Sequence, residues 1–63
     1  MKYFAVLRQD TTVEWDSGKR ETLKKEEGII GTMEDGFFCF EAKNGPARLP
    51  IKCFRKIQRW FQE

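Results

Sequence analysis

From Lys2 to Arg8 the chain reads KYFAVLR. Tyr3, Ala5 and Leu7 fall on one side of an extended segment, with Phe4 and Val6 on the other. A segment apolar on both sides predicts a central or well-covered strand. Gln9-Asp10-Thr11 follows as a bend. From Thr12 to Asp16, Val13 and Trp15 alternate with Thr12, Glu14 and Asp16, the period of a half-buried strand. Asp16-Ser17-Gly18-Lys19 is a tight-turn sequence whose glycine supplies positive φ. The chain is then expected to return through Arg20 to Leu23.

Arg20 to Glu27 (RETLKKEE) has helix-favouring residues and a Glu21–Lys25 pair at i,i+4 spacing. Leu23 is its only apolar residue, so a helix here would bury almost nothing. The reading is a strand end running into an exposed charged loop. Gly28 to Met33 (GIIGTM) predicts a short strand, with Gly28 and Gly31 marking a bulge or sharp bend. Glu34-Asp35-Gly36 carries the Asp-Gly hairpin signal. Phe37 to Lys43 (FFCFEAK) is the strongest strand pattern: Phe38, Phe40 and Ala42 on one face, Phe37, Cys39 and Glu41 on the other. Asn44-Gly45-Pro46 breaks it.

The stretch from Leu49 to Phe61, LPIKCFRKIQRWF, carries the clearest pattern. At about 100° per residue, Cys53, Phe54, Ile57, Trp60 and Phe61 share an arc of roughly 120°, the width of a core-facing helical stripe. Lys52, Arg55, Lys56, Gln58, Arg59 and Gln62 lie outside it. Pro50 would stand near the first turn, where its missing N–H costs nothing. The spacing therefore predicts an amphipathic helix from about Ile51 to the end. The alternative is a last strand entered through a short 3₁₀ turn, as in small SH3-like barrels.

Four or so antiparallel strands at this spacing need a cover for their open face. The expected class is α+β, mainly β: a small, highly twisted antiparallel sheet or SH3-like partial barrel with one C-terminal amphipathic helix. The 63 residues are read as a single small domain, residues 1–63. A chain this short buries a modest share of its surface. Its six Phe, two Trp and one Tyr compensate in part, since aromatics carry large buried areas.

No apolar run reaches the length of a membrane span, and the five apolar residues before Arg8 do not make a signal peptide. The two cysteines, Cys39 and Cys53, sit in apolar runs without a CxxC spacing or any histidine. They read as buried free thiols in a reducing cytoplasm, with a disulfide across the Asn44-Gly45-Pro46 bend as the alternative. Two thiols are too few for a zinc site within one chain, so no metal or cofactor is expected.

Nor is catalysis. The commonest general base is missing, and neither thiol has a base partner visible in the sequence. The acidic pairs Glu26-Glu27 and Glu34-Asp35 lie in expected loops or turns, where such neighbours are solvated.

Charge is unevenly shared. From Arg48 onward there are five Lys or Arg against one Glu, whereas residues 1–47 carry seven against nine acids. Read as a helix, Lys52, Arg55, Lys56 and Arg59 share an outward face that could track phosphates, with Trp60 or Trp15 to stack on a base. The ordinary alternative is a solvated face, since Lys and Arg are good helix formers. Phe4, Phe37, Trp15 and Trp60 also lie on or near second faces, where uncovered aromatics mark partner sites. The expected function is a small non-enzymatic cytoplasmic module binding a protein partner, as adaptor or inhibitor, with a homodimer as one arrangement. A nucleic-acid-binding module is the alternative. The candidate binding residues are Lys52, Arg55, Lys56, Arg59, Trp60, Trp15 and Phe37.

Overall fold

The computed structural model describes residues 1–61. Its elements in order are β1 (Tyr3–Leu7), β2 (Thr11–Glu14), β3 (Arg20–Leu23), β4 (Gly28–Glu34), β5 (Phe37–Ala42), β6 (Gly45–Pro50), a 3₁₀ turn (Ile51–Cys53) and β7 (Phe54–Arg59). They form two antiparallel sheets. One has five strands in the order β6-β5-β4-β1-β7, and the other is the β2–β3 hairpin.

The alternation of side chains fixes which face is buried. Tyr3, Ala5 and Leu7 of β1, Phe38 and Phe40 of β5, and Phe54 and Ile57 of β7 converge on one side. Phe38 and Leu7 are fully enclosed. The ring of Phe38 meets that of Phe54 at 4.9 Å with a 55° tilt, between the offset-stacked and edge-to-face arrangements of aromatic pairs. The hairpin lays Val13 and Leu23 against this cluster.

Polar bonds hold the hairpin there. The Trp15 indole N–H donates to the Pro46 carbonyl at 2.9 Å, and the Lys43 N–H donates to Glu21 Oε1 at 3.0 Å. The hairpin thus covers part of the core face.

β4 serves two partners. Its first half pairs with β1, ending at Tyr3↔Gly31, and its second half pairs with β5, starting at Gly31↔Phe40. Gly31 stands at the junction because no side chain fits: a Cβ there would lie 2.2 Å from the Cys39 carbonyl oxygen. At the Asp35-Gly36 turn both residues have positive φ, 51° and 83°. That is the signature of the primed hairpin turns, whose twist matches that of the strands.

The expected C-terminal helix is overturned, and with it the α+β class. The fold is nearly all β, and the described residues form no α-helix. The segment takes the other course weighed from the sequence, a 3₁₀ turn and a last strand. The misleading pattern has a physical origin. Leu7 pairs with Phe54 and Val6 with Lys56, so Arg55 is an extra residue in a β-bulge. The bulge lets Phe54 and Ile57, three positions apart, point into the same core. The 3₁₀ turn adds Cys53 beside them. Together these copy the spacing of a helical stripe. The polar positions of that reading end with Gln62, which lies outside the described residues.

Arg8 fastens the turn to β1: its N–H donates to the Cys53 carbonyl at 3.0 Å and its Nε to the Lys52 carbonyl at 2.8 Å. No helix among the described residues is long and apolar enough to cross a membrane.

Candidate interaction surface

The side of the five-stranded sheet away from the core carries the other half of each strand. Register sets its rows. Phe4 of β1 stands between Gln58 of β7 and Ile30 of β4, and Val6 stands between Lys56 and Gly28. Cys39 of β5 stands between Thr32 and Arg48, and Phe37 stands beside Pro50.

At the β1–β7 end of this face Phe4 and Trp60 stack, with ring centroids 6.0 Å apart and planes 27° off parallel. Trp60 is placed by its own backbone, whose N–H donates to the Lys2 carbonyl at 2.9 Å. Phe4 also lies over Gly28, where a Cβ would come within 2.1 Å of the ring. Gly28 therefore lets the phenyl ring lie down on the sheet. Ile30 and Trp60 remain 43% and 39% exposed, enough to leave an apolar patch open. A shallow cleft of about 400 Å³ continues from Ile30 toward β6, lined also by Lys2, Thr32, Cys39, Glu41 and Pro46.

The structure divides the residues singled out from the sequence. Lys56 and Trp60 share the outer face. Lys52 is exposed on the 3₁₀ turn, Arg55 is the bulge residue, and Arg59 stands opposite Tyr3 on the core side of the edge strand. Arg59 places its guanidinium 5.2 Å from the ring centre of Phe61. The four cations therefore do not form one stripe, because a strand turns successive side chains to opposite faces.

Trp15 and Phe37 go to the β6 edge of the sheet. Trp15 ties the hairpin to Pro46. Phe37 is covered by Arg48, whose guanidinium lies 4.9 Å from the ring centre.

Lys2 and Ile30 are surface residues the sequence reading did not single out. Two adjacent isoleucines in a strand, Ile29-Ile30, were the available signal: one of them must face away from the core. Ile29 packs on the core and Ile30 does not.

Charge is sorted by element. β1, the 3₁₀ turn and β7 contain no Asp or Glu, and Lys2, Arg8, Lys52, Arg55, Lys56 and Arg59 lie in or beside them. Among the described residues the acids stand elsewhere, on β2 to β5 and their connections. Among the described residues two ion pairs form, both on the hairpin or its flanks: Arg20 with Glu14 at 3.7 Å and Lys24 with Asp10 at 3.8 Å. Both are exposed pairs of small energetic worth.

Cys39 and Cys53 are free thiols, and both are half-buried rather than enclosed. Among the described residues no group of three His, Cys, Asp or Glu stands together as a metal site.

No protein-family model matches this chain, and no curated protein or solved structure matches it significantly.

Proposed function

We propose that the protein is a small non-enzymatic binding module that works through protein contacts, with the outer face of the β4–β1–β7 strands as its contact surface. The observation that carries this reading is the open patch of Phe4, Ile30 and Trp60. Exposed aromatic and aliphatic side chains grouped on a flat face are the usual anchors of a protein interface. Lys2, Lys56 and Gln58 supply a polar rim around it. Two free thiols accord with work in a reducing cytoplasm.

The test is capture from a lysate of the source organism with wild-type and Ile30→Glu baits, each shown to be folded. A partner retained by the wild type in moderate salt and lost by Ile30→Glu supports the reading. A partner held equally by both removes the outer face from the proposal. Sedimentation of the purified chain tests whether that partner is a second copy.

The cation-rich edge favours a second reading, nucleic-acid binding. Phosphate contacts release counterions, so such binding falls steeply with salt. Against it, Trp60 already stacks on Phe4, and the cations are split between two faces. Titrating both tryptophans with an oligonucleotide pool decides: binding at low salt that collapses at moderate salt would favour nucleic acid over the protein reading.

A further inference from the structure

The two edges of the five-stranded sheet are not alike. β6 is blunted: it contains Pro46 and Pro50, which have no N–H, and the Pro46 carbonyl already accepts the Trp15 indole. β7 contains no proline and is paired on one side by β1.

Which of its backbone groups are free follows from register. The Trp60 N–H donates to the Lys2 carbonyl. Backbone groups alternate sides along an antiparallel strand, so Gln58 and Lys56 face β1, opposite Phe4 and Val6. The N–H and C=O of Ile57 and Arg59 then face away from the sheet, the template on which another strand can add.

The side chains along this edge select the partner. β7 reads FRKIQR, three cations and no acid. A second copy pairing through the same edge would set cations against cations, which is destabilising across a strand pair. Lysine and arginine on an edge are a known guard against self-pairing. The same charges complement an anionic strand. Lys56 is presented on the outer face, Arg59 on the core side, and Arg55 at the bulge.

We infer that the free edge of β7 takes an extended acidic segment of a partner protein as an added antiparallel or parallel strand. Ile57 and Arg59 supply the main-chain bonds, and Arg55, Lys56 and Arg59 receive the carboxylates. Main-chain pairing gives affinity in this mode, and the alternate side chains give specificity. The inference rests on the protein-contact reading above and assigns that contact its edge and its chemistry.

The experiment is calorimetric titration of the full chain with a capped peptide of about eight residues, an ordinary strand length, built from repeated Glu-Glu-Val so that carboxylates stand on both faces of the added strand. A Lys-for-Glu peptide and an oligonucleotide are the comparisons. Arg59→Ala removes the charge and keeps the N–H; Arg59→Pro removes both, at a position where β1 does not use the N–H. The Glu peptide should bind and the Lys peptide should not. Arg59→Ala should weaken binding several-fold, and Arg59→Pro by a further factor of about five to ten, the worth of a main-chain bond. Hydrogen exchange on the wild type should slow at the Ile57 and Arg59 amides when the Glu peptide is added, a readout that needs no variant to fold.

Equal weakening by the two variants, or unchanged exchange at both amides, would overturn the edge pairing. Peptide binding lost in Ile30→Glu but kept in Arg59→Pro would overturn it while leaving the protein-contact reading in place. Failure of the Glu peptide to bind, with lysate capture still dependent on Ile30, would do the same. Oligonucleotide binding without peptide binding would overturn both.

Discussion

Gly31 shows how much one residue decides here. It pairs with Tyr3 on one side and Phe40 on the other, and a Cβ would strike the backbone of β5, which cannot swing aside. Gly31→Ala should cost about 3 kcal/mol or more, the range of severe overpacking, as measured by urea unfolding. Gly28 meets a side chain instead. Gly28→Ala should keep the fold but push Phe4 off the sheet, read as a changed Trp60 emission. Trp15 works for the fold as well as for the surface. Trp15→Phe keeps an aromatic side chain, smaller than the indole, and loses the donor to Pro46, so about 1 kcal/mol of stability or somewhat more should go with it. The ring of Phe37 is shielded in another way, beneath Arg48.

At the scale of elements, the last strand is the informative one. In a helix, proline at position 58 or at position 59 would cost about the same, roughly 3 kcal/mol. In β7 the two differ. The Gln58 N–H serves the ladder to β1 and the Arg59 N–H faces outward. Gln58→Pro should therefore lower stability by about 2 kcal/mol more than Arg59→Pro, checked by thermal melts of the two variants side by side. The bulge at Arg55 is what lets this strand enter the core with Phe54 and return to it with Ile57. β6 was hidden for a related reason. Asn44-Gly45-Pro46 reads as a break and Pro50 as the first turn of a helix, yet an edge strand tolerates proline where the N–H would point away from its neighbour.

On the scale of the whole molecule, a chain of 63 residues has an expected stability of roughly 3–9 kcal/mol. Its core is a single cluster centred on Phe38, which touches Phe40 and Phe54. Phe38→Ala should cost about 3–5 kcal/mol, a large share of that total, read as a lower midpoint of urea unfolding. The same economy leaves side chains uncovered. The β2–β3 hairpin packs on the core face, so Phe4, Ile30 and Trp60 stay on the open one. Acids and cations are sorted with it: β1, the 3₁₀ turn and β7 contain no acids, while the hairpin carries exposed ion pairs.

Much of the β content was legible in the sequence, because period-two alternation and turn chemistry are local. The apolar faces of Lys2–Arg8, the Asp-Gly turn at Asp35 and the Phe38, Phe40, Ala42 face each follow from neighbouring residues alone. The strand at Arg20–Leu23 was legible from its turn. The course of residues 51–61 was not, since Cys53, Phe54 and Ile57 suit a helical stripe as well as a bulged strand. Only β1 could decide: Tyr3 to Leu7 need hydrogen-bond partners along their second edge, and β7 supplies them in a register the bulge sets. That pairing between distant segments also split Lys52, Arg55, Lys56 and Arg59 between faces and stacked Trp60 on Phe4. A sequence states which side chains are available; the strand that pairs with them decides which surface they share.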